Sequence, residues 1–211
     1  MKKISLFLAI LLFSFPACCP FDDCKCPDNS LEFDLPLEVY GLKDTLSLGD
    51  TLRIKLEIPD RLAEQNSGVV YEFIDYNFML ISYIPKIDSL PIGLSTIEYF
   101  DWTTIIGESK YEYDVYFVVP SYDNHTYQYE ALITPKRKGL FVFGMSSDFS
   151  RAIPLEKPEG PCKSHPVRVY LKLVNETNVN FEFLQNSPDP IQSSIDRKRF
   201  DEFAGFCFYV K

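Results

Sequence analysis

The chain has 211 residues, a formal net charge of −9 and no basic stripe, which excludes recognition of a nucleic-acid backbone. Aromatic residues make up 15% and proline is plentiful (15) while glycine is scarce (9), a mixture that favours strands over helices. Such a length buries a proper core without staples and suits one large or two small domains.

Lys2 and Lys3 precede a run from Ile4 to Phe15 broken only by Ser5 and Ser14. A bilayer span needs about 20 apolar residues, so this run is too short. It reads as the apolar region of a secretion signal over residues 1–17, removed from the mature chain. Removing those 17 residues leaves 194 and takes the net charge from −9 to −11 with the loss of Lys2 and Lys3. Ala17 suits the position before a cut, but Phe15 is too large for a small-x-small site. Cleavage before Cys18, with Ala17 and Cys18 in place and Phe15 and Pro16 departing from the enterobacterial pattern, resembles the looser lipoprotein signals of the Bacteroidota. The resemblance covers residues 1 to about 25. It implies that Cys18 carries diacylglycerol and an N-acyl chain, an anchor of about 0.8 kcal/mol per buried methylene without a transmembrane helix. Asp22 and Asp23 resemble the acidic signal of that group for export to the outer face of the outer membrane; the periplasmic face is the alternative.

Residues 18–30 form a tether rich in Cys, Pro, Asp and Asn, and 31–211 form the body. Of six cysteines, Cys18 is assigned to lipid. The cluster Cys18-Cys19-x4-Cys24-x-Cys26 lacks the pair spacing and folded knuckle of a zinc site, so no metal and no cofactor is expected. An exported chain tolerates disulfides. Cys162 and Cys207 are the favoured pair, closing a loop that a chain-entropy model values at about 4 kcal/mol; the pairing of Cys19, Cys24 and Cys26 stays open.

From Leu31 the hydrophobic period is two. Leu31 to Val39 alternates, and Thr51 to Ile58 alternates most clearly, which means one buried and one wet face. Val69–Ile74 and Phe78–Ile84 are apolar runs that read as buried strands. Thr96 to Thr104, containing Trp102, reads as a strand, and Gly107–Lys110 as a turn. Tyr111 to Val119 reads as one strand ended by Pro120, and 121–126 as a polar loop. Tyr127–Thr134 and Leu140–Met145 follow. Residues 146–166 read as a long connection and the best boundary for a C-terminal subdomain over 162–211. Val167–Leu173 is a one-sided strand, Phe181–Leu184 a short strand, Ile191–Phe203 a short helix and Phe206–Val210 a closing strand. About ten strands with frequent turns predict an all-β chain, an antiparallel β-sandwich of Ig-like or jelly-roll type.

No catalytic set emerges. His125 and His165 are the only histidines, both at loop positions, and neither a nucleophile elbow nor a phosphate loop is present. Glu98, Asp101 and Glu108 flank Trp102, but 30 acidic residues make chance clusters unavoidable. The chain is read as no enzyme. Among many tyrosines, most sit at strand positions that serve a core or its rim. Trp102 and Tyr122, nearer loops, are the ligand-contact candidates, since such side chains offer stiff amphipathic area. Asp44-Thr45-Leu46 and Asp88-Ser89-Leu90 resemble the Asp-Ser/Thr-aliphatic sites of Bacteroidota O-glycosylation, making Thr45 and Ser89 candidates; Thr51, at a strand start, fits less well. The expectation is a membrane-anchored binding module for a glycan or a protein, with an assembly component of a surface complex as the alternative and a glycan hydrolase third.

Overall fold

The structure, a computed structural model, describes residues 30–74, 76–88, 96–147, 153–159, 162–175 and 179–211. The expected signal segment, Cys18, Cys19, Cys24, Cys26 and Ser89 lie outside the described residues. The N-terminal strands are β1 (Leu31–Tyr40), β2 (Thr45–Leu46), β3 (Leu52–Pro59), β4 (Arg61–Ala63), β5 (Val70–Glu72) and β6 (Leu80–Tyr83). A helical turn α1 (Thr96–Tyr99) leads into β7 (Phe100–Ile106), β8 (Glu108–Glu112), β9 (Val115–Val119), β10 (Ser121–Asp123), β11 (Thr126–Pro135) and β12 (Gly139–Ser147). Then come β13 (Ile153–Glu159), β14 (Cys162–His165), β15 (Val167–Leu173), α2 (Phe181–Gln185), α3 (Pro190–Ser193), α4 (Arg197–Glu202) and β16 (Phe206–Val210).

These strands build an all-β sandwich. One sheet runs β10-β11-β3-β1-β15, with β7 also paired to β11; the other runs β2-β16-β12-β6-β9-β8. Most ladders are antiparallel, but β1 and β15 pair in parallel, as do β16 and β2. The period-two residues meet between the sheets: Phe33, Leu35, Leu37, Val39, Leu52, Ile54, Leu56 and Ile58 are all fully buried. Each such side chain contributes about 1.5–3 kcal/mol by leaving water. β12 and β16 are buried on both faces, because Leu184 and Phe200 of the short helices cover the side that carries Val142 and Cys207. The C-terminal third is therefore built into both sheets, β15 in one and β16 in the other.

Several local expectations change. Tyr111–Val119 is a hairpin, not one strand. φ is positive at Tyr113 and Asp114 (51° and 64°), and again at Asn124 and His125 (47° and 64°). Both pairs are two-residue connections with the backbone signature of a type I′ turn, β8 to β9 and β10 to β11. Between these strands the chain changes sheets twice, at Gly107 and at Pro120. Gly107 has φ +80°, and a Cβ there would sit 2.8 Å from the Val119 carbonyl oxygen and 2.9 Å from the Tyr129 ring. Glycine is thus required at the first crossing. Phe181–Leu184 is the helix α2 rather than a strand, since a short apolar run does not declare its period; Asn180 at φ 49° turns the chain into it. The single helix expected over 191–203 is α3 and α4, each started by an aspartate cap, Asp189 to Ile191 N and Asp196 to Arg199 N. The connection 146–166 contains the β13–β14 ladder.

Candidate functional site

Trp102 and Tyr122 belong to the framework of the sandwich. Trp102 alternates inward from β7, stacks on Tyr116 at 4.4 Å between centroids, and donates its indole N–H to the Tyr129 hydroxyl at 2.9 Å. Asp101 alternates to the opposite, exposed face and pairs with Lys136 at 3.0 Å. The two therefore do not converge, and the strand period separates them. Tyr122 donates its hydroxyl to Asp60 Oδ2 at 2.8 Å, and its ring packs 4.6 Å from that of Tyr127.

Asp60 closes a knot that sequence reading missed. It follows Pro59 at the bend between β3 and β4 and is only 5% exposed. His125 Nδ1 lies 2.8 Å from the same carboxylate oxygen that Tyr122 reaches, and the Asp60 N–H donates to the His125 carbonyl at 3.0 Å. The bonds from His125 and then Tyr122 hold the Asp60 carboxyl below the usual carboxylate range. His125, read from sequence as a solvated loop residue, is exposed at the turn tip yet tied on one side of its ring. Four residues on, Glu64 is 4% exposed. It accepts from Ser67 N at 2.6 Å, Ser67 Oγ at 2.7 Å, and Asn66 N and Nδ2 both at 3.0 Å. It also accepts from Glu32 N at 3.3 Å. With the Ser67 hydroxyl foremost, these bonds bring its pKa down to about 2.

Cys207 is a free thiol, fully buried, so the expected bridge to Cys162 is absent. The physical reason is placement: Cys207 faces the α2 layer beside Leu184, whereas Cys162 opens β14 on the separate β13–β14 ladder. Burial pushes the Cys207 thiol up to about 12, which makes it inert. Thr45 is half-buried and lies in β2, paired with Tyr209, rather than in a loop. Among the described residues, no three His, Cys, Asp or Glu side chains gather as a metal site, and no helix is long and apolar enough to cross a membrane.

An open cleft lies elsewhere, about 640 Å³ between the outer side of β15 and α4. Because Val167, Val169 and Leu171 point inward, Arg168, Tyr170 and Lys172 must point out and form one wall. The helix α4 supplies the other with Arg197, Lys198, Asp201 and Glu202, while Glu32 and Gln65 close one end. Phe200 is buried beneath and anchors the helix, and a bridge between Leu171 and Phe203 fixes it against the strand. Its charges are paired: Arg197 Nε contacts both Asp201 oxygens at 2.8 and 2.9 Å, Lys198 lies 3.8 Å from Glu202, and Arg168 lies 3.7 Å from Glu32. Lys172 sits 5.7 Å from the Tyr170 ring centroid and 3.8 Å from Asp34. The Tyr170 hydroxyl donates to Glu32 at 3.4 Å, and burial, then the nearby carboxylates, raise its pKa. The alternation of β15 and the i,i+4 pairs of α4 are visible in the sequence; their meeting across the cleft is not. The chain matches no protein-family model and no curated protein.

Proposed function

We propose that the protein is a lipoprotein of the cell envelope, anchored through Cys18, whose sandwich is a non-catalytic module that binds a glycan in the β15–α4 cleft. The observation that carries this reading is the wall chemistry of that cleft. Nearly every lining side chain is a charged or planar hydrogen-bonding group, namely Arg168, Tyr170, Arg197, Asp201, Glu32 and Gln65. A hydroxyl-rich ligand exchanges hydrogen bonds with such groups at little cost, because each is already partly in water. A protein ligand wants a desolvated apolar anchor at the centre of its site, and the cleft offers none. The carboxylates of the lining, Glu32, Asp201 and Glu202, each face a cation of the same cleft, Arg168, Arg197 and Lys198 respectively, an arrangement that favours binding over turnover. An assembly role by strand addition is less well supported, since the edge strand β8 carries Glu108, Lys110 and Glu112, and charges blunt a sheet edge.

The test is a glycan array followed by titration calorimetry on the full chain. The wild type should retain a glycan that the Tyr170→Ala and Arg197→Ala variants lose by about tenfold or more, roughly the effect of one charge-assisted bond. Arg53→Ala, on the distant outer face of β3, should bind as the wild type does. Equal binding by all four proteins, or release of a cleaved sugar, would overturn the reading.

A further inference from the structure

The β15–α4 cleft adjoins a second cavity of about 400 Å³, which shares Lys172, Arg197 and Asp201 with it and adds Leu173, Val179, Ala204 and Gly205. The chemistry of this recess differs from that of the cleft. Leu173 ends β15, Val179 precedes α2, and Ala204 and Gly205 join α4 to β16, so its own lining is small and apolar. Glycine is needed at that join, because a Cβ on Gly205 would lie 2.7 Å from the Phe200 ring that anchors α4. A polar cleft and an apolar recess therefore meet at one wall, built of Lys172 from β15 and of Arg197 and Asp201 from α4.

The wall carries two cations against one carboxylate, and the carboxylate is already taken. Both Asp201 oxygens face Arg197 Nε, at 2.8 and 2.9 Å. That pairing uses one of the three guanidinium nitrogens. Among the described residues the two Nη groups have no hydrogen-bond partner. The guanidinium lies 5.6 Å from the Phe181 ring centroid, a contact that steadies its plane. For Lys172 the nearest carboxylate among the described residues is Asp34 at 3.8 Å, too far for a hydrogen bond, and Asp34 Oδ1 accepts from Gln65 Nε2 at 2.6 Å. The side chains of Lys172 and Arg197 are 43% and 55% exposed, so their unused donors are open to a ligand.

We infer that the glycan bound in this cleft carries a sugar carboxylate, which accepts hydrogen bonds at the Lys172–Arg197 wall while a C–H face of the same sugar covers the recess. The inference rests on the glycan-binding reading of the cleft and adds the charge of the ligand. A guanidinium with both Nη groups unused presents a planar fork, and a carboxylate is its planar match. The wall holds one positive charge in excess, which one monoanion balances. A neutral glycan would leave both cations to water. Placing the carboxylate at the boundary of the two cavities puts the hydroxyls of the sugar against the polar walls and its carbon skeleton against Leu173 and Val179.

The test presents the full chain to an array of neutral, sulfated, uronate-bearing and sialic-acid-bearing glycans. Titration calorimetry then compares the most strongly retained carboxylated glycan with its methyl ester, which keeps every hydroxyl and removes the charge. The retained glycans should carry a carboxylate, and esterification should weaken binding by about tenfold or more. Lys172→Gln should weaken binding of the acid by about tenfold and leave that of the ester unchanged; a cleft that had merely lost its shape would weaken both. Lys110→Gln removes the same charge from β8, in the other sheet, and should bind both forms as the wild type does. Retention of neutral or sulfated glycans alone, or equal binding of acid and ester, would overturn the carboxylate while the glycan site stands. Retention of no glycan would remove the glycan reading and this inference with it.

Discussion

Two groups of carboxylates in this molecule have the same chemistry and opposite surroundings. Asp60 and Glu64 are buried at the end of the body where the chain enters β1, and their partners are fixed: main-chain N–H groups, a tyrosine hydroxyl, an imidazole. Glu32, Asp201 and Glu202 line the β15–α4 cleft, and their partners there are long, partly solvated side chains. A buried carboxylate held by donors that the fold fixes cannot release a partner without leaving a donor unsatisfied. A solvated ion pair exchanges partners almost freely. The first group holds the fold, and the second is available to a ligand.

The sharpest way to break the contrast is to remove what lies under the knot. Phe33→Ala deletes the ring that Tyr71 and Phe73 pack against and should cost about 3–5 kcal/mol in chemical denaturation. A loss below about 1 kcal/mol would mean that the knot end is loosely packed.

Acid provides the next test. The folded-state pKa of Glu64 is about 2, well below its ordinary 4.5, and that of Asp60 is also lowered. Their stabilisation is therefore complete above the unfolded carboxylate pKa and is lost as pH falls through the folded values. Melting temperatures should drop between pH 5 and pH 2 for the wild type. Glu64→Gln turns an amide donor toward donors, so it should melt lower at neutral pH, and its curve should approach that of the wild type as pH nears 2. Parallel curves would assign the acid sensitivity to other groups.

The cleft should respond far less. Arg197→Ala breaks an exposed i,i+4 pair and should change stability by no more than about 0.5 kcal/mol, while the glycan binding proposed for the cleft should weaken by about tenfold. A large loss of stability would class Arg197 with the knot. The smallest effect belongs to Cys207: a thiol-specific reagent should leave it unmodified in native protein and modify it in denaturant, as mass spectrometry of the Cys207 peptide reports. Protection in denaturant would restore the disulfide that the free thiol contradicts.

Period-two patterning identified β1, β3, β11, β12, β15 and β16 within a residue or two and the buried face of each one-sided strand. It failed where local signals are ambiguous. Val69–Ile74 is apolar but for Glu72, yet only Tyr71 and Phe73 pack on the core. Tyr111–Val119 alternates cleanly through a turn, because Tyr113-Asp114 is not one of the glycine-bearing pairs that announce a type I′ hairpin. Trp102 and Tyr122 looked like ligand contacts because they lie near loops, and both are spent on Tyr129 and Asp60. Asp60 itself had no signal beyond following Pro59, and its partner His125 is 65 residues away.

By itself, then, the sequence determined which residues of the one-sided strands leave water. That choice is written in neighbours two apart, and the hydrophobic effect needs no knowledge of the partner. Only the tertiary structure decided which buried surfaces meet: the parallel pairing of β1 with β15, the change of sheet at Gly107, the free burial of Cys207 and the facing of Arg168 with Arg197. Those contacts join segments far apart in the chain. Their free energy belongs to pairs, and no single segment carries it.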